Sequence, residues 1–191
     1  MRALAFATLT AAACRQRFAA AALVAIAGHA IATELRPPEV VAAKPALNLQ
    51  GSGSLRLFGL GIYDARLWVG NGFTAGHYTA HPFALELQYA RALAATAIAD
   101  RTIVEMRRGG RLNDAQTRAW KDALLLAIPD VAPGDRVTGV HVPGEPTRFF
   151  HNGRFTAAVA DPAFADRFFG VWLASTTSEP GLRRQLIGSA P

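Results

Sequence analysis

Residues 61–69 read Gly-Ile-Tyr-Asp-Ala-Arg-Leu-Trp-Val, and their side chains alternate in character. Tyr63, Ala65, Leu67 and Val69 fall on one side; Ile62, Asp64, Arg66 and Trp68 fall on the other. A period of two is the period of a strand, and charge confined to one side predicts one buried and one wet face. A central strand of that kind belongs to an antiparallel sheet covered on a single side. Every other element has to be compatible with such a sheet.

Residues 83–89 repeat the pattern, with Phe83, Leu85, Leu87 and Tyr89 on one face and Glu86 and Gln88 on the other. Upstream, residues 47–50 form a short strand that enters a glycine-rich turn at Gly51 and Gly53. Residues 55–69 form one or two strands, with Gly59 and Gly61 permitting a bulge or bend. Residues 137–142 are a strand, and residues 147–159 a hairpin turning at Asn152-Gly153, the pair that favours a type I′ turn. Two helices lie between these groups. The first, residues 94–108, presents Ile98, Thr102 and Glu105 together with Ile103 and Met106 and stops at Gly109. The second is capped by Asn113, carries Trp120, Leu124 and Ala127 or Ile128 at helical spacing, and ends at Pro129. Two more helices close the chain. One starts at Asp161-Pro162 with Phe164, Phe168, Val171 and Trp172 as its apolar face. The other is capped by Ser178, runs through Leu186 and Ile187, and is stopped by Gly188. Strands, two helices, strands and two helices, without βαβ alternation, specify an α+β fold: an antiparallel β-sheet with helices packed on one face.

At 191 residues the chain holds one domain and an N-terminal addition, and 51% hydrophobic content supports a sizeable core. Arg2, Arg15 and Arg17 precede an apolar run at residues 18–27, and Ala30-Ile31-Ala32 then puts small residues at −3 and −1. This is the pattern of a signal peptide, residues 1–32, cleaved after Ala32. The run is shorter than the ~20 residues a bilayer span needs; a buried core helix and an uncleaved anchor are the alternatives. Cleavage would remove three arginines and no acid, taking the net charge from +6 to +3. The protein is therefore expected to be periplasmic or secreted. A mild charge without a basic, aromatic-rich stripe argues against a nucleic-acid partner. Cys14, the single cysteine, falls in the cleaved segment, so no disulfide or thiol chemistry is expected afterwards. Residues 33–46, with Pro37, Pro38 and Pro45, read as an extended lead-in to a domain at 47–191.

Several chemistries lack their residues. A dinucleotide fingerprint starting at Gly51 would need glycine at position 56, which is Arg56, and no helix follows. His77 and His81 are framed by Gly76 and Pro82 as loop residues, so neither metal nor cofactor is expected. No G-x-S-x-G elbow is present. If the strand at 83–89 persists, Arg91 follows Tyr89 onto the inner face. There it would receive the carboxylate of an amphiphilic ligand, unless it snorkels to solvent or pairs with an acid. Phe164, Phe168 and Trp172 are core, or one wall of an apolar pocket between helix and sheet.

The motifs in sequence form a wider resemblance. Gly51-x-Gly53 with Tyr63-x-Ala65-x-Leu67-Trp68, then Leu85-x-Leu87-x-Tyr89-x-Arg91, Pro133-Gly134-Asp135 and Asn152-Gly153 occur in order. Phe164, Phe168 and Trp172-Leu173 follow, then Leu182-Arg183 and Leu186-x-Gly188. This series resembles the chalcone isomerase-like family, in particular its exported bacterial members, and it implies the same open-faced antiparallel sheet. Chalcone isomerases cyclise their substrate with an arginine, a threonine, a tyrosine and an asparagine. Alignment on Tyr63 puts Leu55 at the arginine position and Phe58 at the threonine position, and residues 92–100 hold no tyrosine. Arg56 could supply the cation only if the strand bulges by one residue. Fatty-acid-binding members of the superfamily hold a carboxylate with a cleft arginine. The resemblance thus implies a non-catalytic protein binding a small apolar or amphiphilic, fatty-acid-like acid. Candidate ligand-binding residues are Arg91, Tyr89, Tyr63, Arg56, Phe168 and Trp172. The alternatives are an isomerase or intramolecular lyase with a rearranged site, in which Arg56 is the catalytic candidate, and a structural or partner-binding module.

Overall fold

The computed structural model describes residues 36–188. A short helix α1 (Pro38–Val41) precedes three strands, β1 (Asn48–Leu57), β2 (Leu60–Val69) and β3 (Phe83–Tyr89). Helices α2 (Ala95–Met106) and α3 (Asp114–Ala127) follow, then β4 (Arg136–His141), β5 (Thr147–His151) and β6 (Arg154–Val159). Helices α4 (Pro162–Leu173) and α5 (Pro180–Ile187) complete the order. The six strands form one antiparallel sheet in chain order, so the architecture is the expected α+β sheet with helices.

Register explains the core. Tyr63 pairs with Tyr89, Leu67 with Leu85, Val69 with Phe83, and Leu87 with Val137, which lines up the apolar series of three strands on one face. Phe149, Phe164, Phe169, Leu124 and Leu173 pack into the same core and are fully buried. The helix starts follow local chemistry. Asn113 Oδ1 accepts from the Gln116 amide at 2.8 Å, and Gln116 Oε1 accepts from the Asn113 amide at 3.1 Å, a reciprocal cap. Asp161 Oδ1 accepts from the Ala163 amide at 2.9 Å, while its Oδ2 accepts from Trp120 Nε1 at 2.8 Å. One carboxylate thus starts α4 and ties it to α3.

Four expectations need correction. Gly51 and Gly53 do not make a turn; they lie inside β1, and the chain reverses at Phe58-Gly59. A Cβ on Gly51 would collide with the carbonyl oxygens of Gln185 and Leu186, and one on Gly53 with the side chains of Gln185 and Leu182. These glycines give α5 clearance to lie on the strand. Second, the lead-in is not simply extended. Its α1 covers part of the outer face, where Val40, Ala43 and Leu47 bury Trp68, Ala84 and Val140 in a small second core. Most polar groups caught beneath find a partner: Glu86 accepts from Trp68 Nε1 at 2.9 Å and from Arg66 at 3.1 Å, and Thr138 donates to Glu39 Oε1 at 2.6 Å, while Glu39 Oε2 accepts no hydrogen bond among the described residues. The outer face is therefore wet only in part. Third, Ser178 does not cap α5; Glu179 precedes Pro180 there, and Thr177 Oγ1 accepts from the Glu179 amide at 3.1 Å. Fourth, residues around His77 form 3-10 turns (Ala75–Ala80), not open loop. The expected signal peptide, residues 1–32, lies outside the described residues.

Candidate functional site

Between the inner face of the sheet and helices α2, α4 and α5 lies a cavity of about 280 Å³. Its floor is Tyr63 from β2, Leu85, Leu87 and Tyr89 from β3, and Val137 from β4. Ile98 and Thr102 of α2, Phe168, Val171 and Trp172 of α4, and Leu182 of α5 form the walls, while Leu55 and Leu57 of β1 close a third side. The size approaches the ~300 Å³ at which small-molecule pockets begin, and the lining is predominantly apolar with a few converging polar groups.

Those polar groups have definite roles. Tyr63 Oη accepts from Trp172 Nε1 at 2.9 Å and keeps its own proton to donate. The Tyr89 ring meets Tyr63 edge-on, with centroids 5.9 Å apart, and among the described residues its hydroxyl has no hydrogen-bond partner. Thr102 Oγ1 donates to the Ile98 carbonyl at 2.8 Å, which leaves its lone pairs for a guest. Burial pushes both tyrosine pKa values well above the usual phenol range; the Trp172 hydrogen bond only partly opposes this at Tyr63, and the neighbouring Tyr63 adds to it at Tyr89. Both phenols are hydrogen-bond donors near neutral pH, not bases.

Among the described residues, one cation reaches the cavity. Arg101 lies 2.7 Å from Glu105 Oε1, with its side chain 65% exposed against 6% for Glu105. Arg108 lies 2.9 Å from the other oxygen of Glu105. Two guanidinium groups therefore share one buried carboxylate. If Arg101 turns toward a guest, Glu105 retains Arg108, so no buried charge is stranded. Leu57, Ala97 and Arg101 are exposed and also line the cavity, which places its opening between the end of β1 and the first half of α2.

Residues 28–188 match the chalcone isomerase-like family. The chain belongs to that family. A curated relative from Haemophilus influenzae, described as an uncharacterized protein, is 30% identical over 78 residues, covering 41% of this chain. The match spans 38% of that relative's length. Among solved structures, an Arabidopsis thaliana fatty-acid binding protein matches with a TM-score of 0.58 over 78% of this chain and 93% of its own, at 11% identity. At that identity the likeness is one of fold.

Within this chalcone isomerase-like fold, Tyr63, Tyr89, Phe168 and Trp172 come together in the cavity lining, and Arg91 and Arg56 do not. Strand β3 ends at Tyr89; the Ala90 amide then bonds to the Ile62 carbonyl, and Leu93 pairs with Val131. The alternation that would have carried Arg91 inward stops two residues early. Arg56 is exposed between Leu55 and Leu57, both of which line the cavity, so its side chain takes the opposite face. An irregularity does occur between Leu55 and Arg56, but it does not bring the guanidinium inside. Phe58, at the family's threonine position, sits at the hairpin turn and is 97% exposed.

Sequence reasoning missed Arg101, Thr102 and Glu105. Their signal was present: Thr102 and Glu105 occupy the buried stripe of α2 beside Ile103 and Met106, and a polar residue on such a stripe needs a partner or a cavity. The histidines serve elsewhere. His141 Nε2–H donates to the Thr79 carbonyl at 2.9 Å in a buried setting that lowers its pKa, His151 lies 3.4 Å from Asp135, and His81 meets Thr74 Oγ1 at 3.1 Å.

Proposed function

We propose that this chalcone isomerase-like protein is an exported, non-catalytic binder of a small apolar or amphiphilic carboxylic acid of the fatty-acid kind. The observation that carries the reading is the Tyr89 hydroxyl, unpartnered among the described residues in a predominantly apolar cavity, with the Tyr63 phenol beside it and a releasable Arg101 at the rim. The apolar walls supply affinity, at ~0.8 kcal/mol for each methylene buried. The phenols and the guanidinium supply orientation, and a hydrogen bond to a charged group contributes ~1.5–3 kcal/mol. The fold neighbour from Arabidopsis thaliana is named for the same class of ligand, which supports the choice.

Titration of delipidated protein with a fluorescent long-chain carboxylic acid tests the reading. Saturable binding is expected, weakened ~10-fold or more by Tyr89→Phe and by Arg101→Gln and unchanged by Arg91→Gln. Absence of saturable binding, or equal binding by all variants, would remove it. Chalcone is expected to cyclise no faster than it does spontaneously. Isomerase chemistry needs a cation and placed donors over the developing charge, and losing one donor typically costs ~10²–10³ in rate. At the two aligned positions stand an apolar wall, Leu55, and an exposed ring, Phe58. Turnover that disappears in Arg101→Gln or Arg56→Ala would replace binding by catalysis. Intact mass of secreted protein tests export: cleavage after Ala32 removes Cys14, and a product retaining it would be an anchored form.

A further inference from the structure

We propose that the β1–β2 turn, Leu57-Phe58-Gly59-Leu60, docks on an anionic lipid surface and so places the cavity opening against it. The turn breaks a local rule without local compensation. Phe58 has a φ of 50° and Gly59 a φ of 80°, the left-handed pair that hairpins fill with Asn, Asp or Gly. A bulky aromatic in that region is strained. Packing does not offset the strain: Phe58 is 97% exposed, and Leu57 and Leu60 beside it are 45% and 54% exposed. A Cβ added at Gly59 would meet no atom within 4 Å. Strain held at a position that stabilises nothing inside the protein points to a contact outside it.

The shape and charge of the turn select the occupant. Three apolar side chains on a convex tip offer far less than the ~800 Å² that each partner gives a stable protein interface. A lipid surface accepts such a tip, because its interior solvates any apolar shape. The segments next to the turn carry arginines. Residues 55–63 and 90–99, which meet where the Ala90 amide bonds to the Ile62 carbonyl, contain Arg56 and Arg91 and no acid. Arg101 adds a third cation at the cavity rim. Acidic groups border these segments: Asp64 accepts from Ser54, Asp100 pairs with Lys121, Glu105 holds Arg101, and Glu179 lines the cavity from α5's approach. Basic residues near an anionic bilayer are attracted to it within a Debye length. Leu57 belongs both to the tip and to the cavity lining, so an acyl chain leaving the lipid could pass over it without crossing open water. This last step rests on the binding reading above; the docking does not.

The test uses the full chain. A Cys14→Ser, Phe58→Cys protein carries an environment-sensitive fluorophore at position 58, and a Cys14→Ser, Phe155→Cys protein carries it at an exposed site on β6. With vesicles of phosphatidylcholine and phosphatidylglycerol, the label at 58 is expected to brighten and shift blue, the label at 155 to stay silent, and pure phosphatidylcholine to give less. Separately, Phe58→Ser with Leu60→Ser should weaken flotation with anionic vesicles ~10-fold or more, because the N-terminal segment is the same in both proteins. Unchanged melting confirms that these exposed substitutions leave the fold intact. A silent label at 58, flotation unaffected by the serines, or a lipid-free dimer that Phe58→Ser dissolves would each overturn docking. Docking by protein that fails to bind the fluorescent acid would instead remove the binding reading alone.

Discussion

The turn between β1 and β2 has φ angles of 50° and 80° at Phe58 and Gly59; the turn between β5 and β6 has 50° and 82° at Asn152 and Gly153. The backbones are alike and the surroundings are opposite. Asn152 Oδ1 accepts from the Arg136 amide at 2.8 Å and its Nδ2 donates to Asp135 at 2.8 Å, while Gly153 lies against Pro38 and Glu39 of the lead-in. Phe58-Gly59 touches nothing comparable. The Asn152-Gly153 turn is fixed into the molecule by the chemistry of its residues; the Phe58-Gly59 turn is held in the same shape by its strands and presents an aromatic ring to the outside. The difference teaches that one backbone conformation can serve cohesion or presentation, and that the side chain decides which.

Substitutions should separate the two. Gly153→Val combines left-handed strain with crowding by Pro38, whose Cγ would stand 3.1 Å from the new Cβ. A loss of about 2–4 kcal/mol is expected in denaturant titration. Gly59→Val meets open space and should lose only about 1–2 kcal/mol of strain. Equal losses would mean the surroundings of the turns do not matter. Next in size, Asn152→Ala removes the side-chain bonds to the Arg136 amide, Asp135 and His151 and should cost about 1–2 kcal/mol, measured the same way. Phe58→Asn should act in the other direction, raising stability by about 0.5–1 kcal/mol while reducing vesicle flotation. A destabilised Phe58→Asn would show that the ring packs in solution after all.

The smallest effect is acid sensitivity. The Asp135 pKa is held below its ordinary 3.8, first by the Ala132 amide and then by the Asn152 side chain. A lowered folded pKa means the contribution is fully present above pH ~3.8 and is lost as pH falls through the folded value. Amide exchange should therefore loosen at the Asn152 turn below pH ~3.8 and stay level at the Phe58 turn, where no carboxylate takes part.

Much of this was readable from residue order. The alternation at 61–69 and 83–89, the Asn113 and Asp161 caps and the Asn152-Gly153 turn each state their structure locally, and the sheet follows from them. Tyr63 and Tyr89 were legible as inner-face residues because a strand's period fixes the face, while their pairing came only with the register. What was not legible depended on contacts distant in sequence. Gly51 and Gly53 resemble a turn until α5 lies across them, some 130 residues later in the chain. Trp68 reads as exposed until the lead-in covers it. The inward arginine was assigned to Arg91 because alternation was extended past the end of β3, and the cation that lines the cavity comes from α2, whose packing angle no local pattern contains.

Native mass spectrometry of freshly purified protein addresses the cavity most directly. The account predicts a population heavier than the polypeptide by the mass of a long-chain carboxylic acid, released on delipidation and restored by adding the acid. In Tyr89→Phe and Arg101→Gln that population should shrink. A protein that carries only its own mass and takes up no acid, while retaining its fold, would contradict the account.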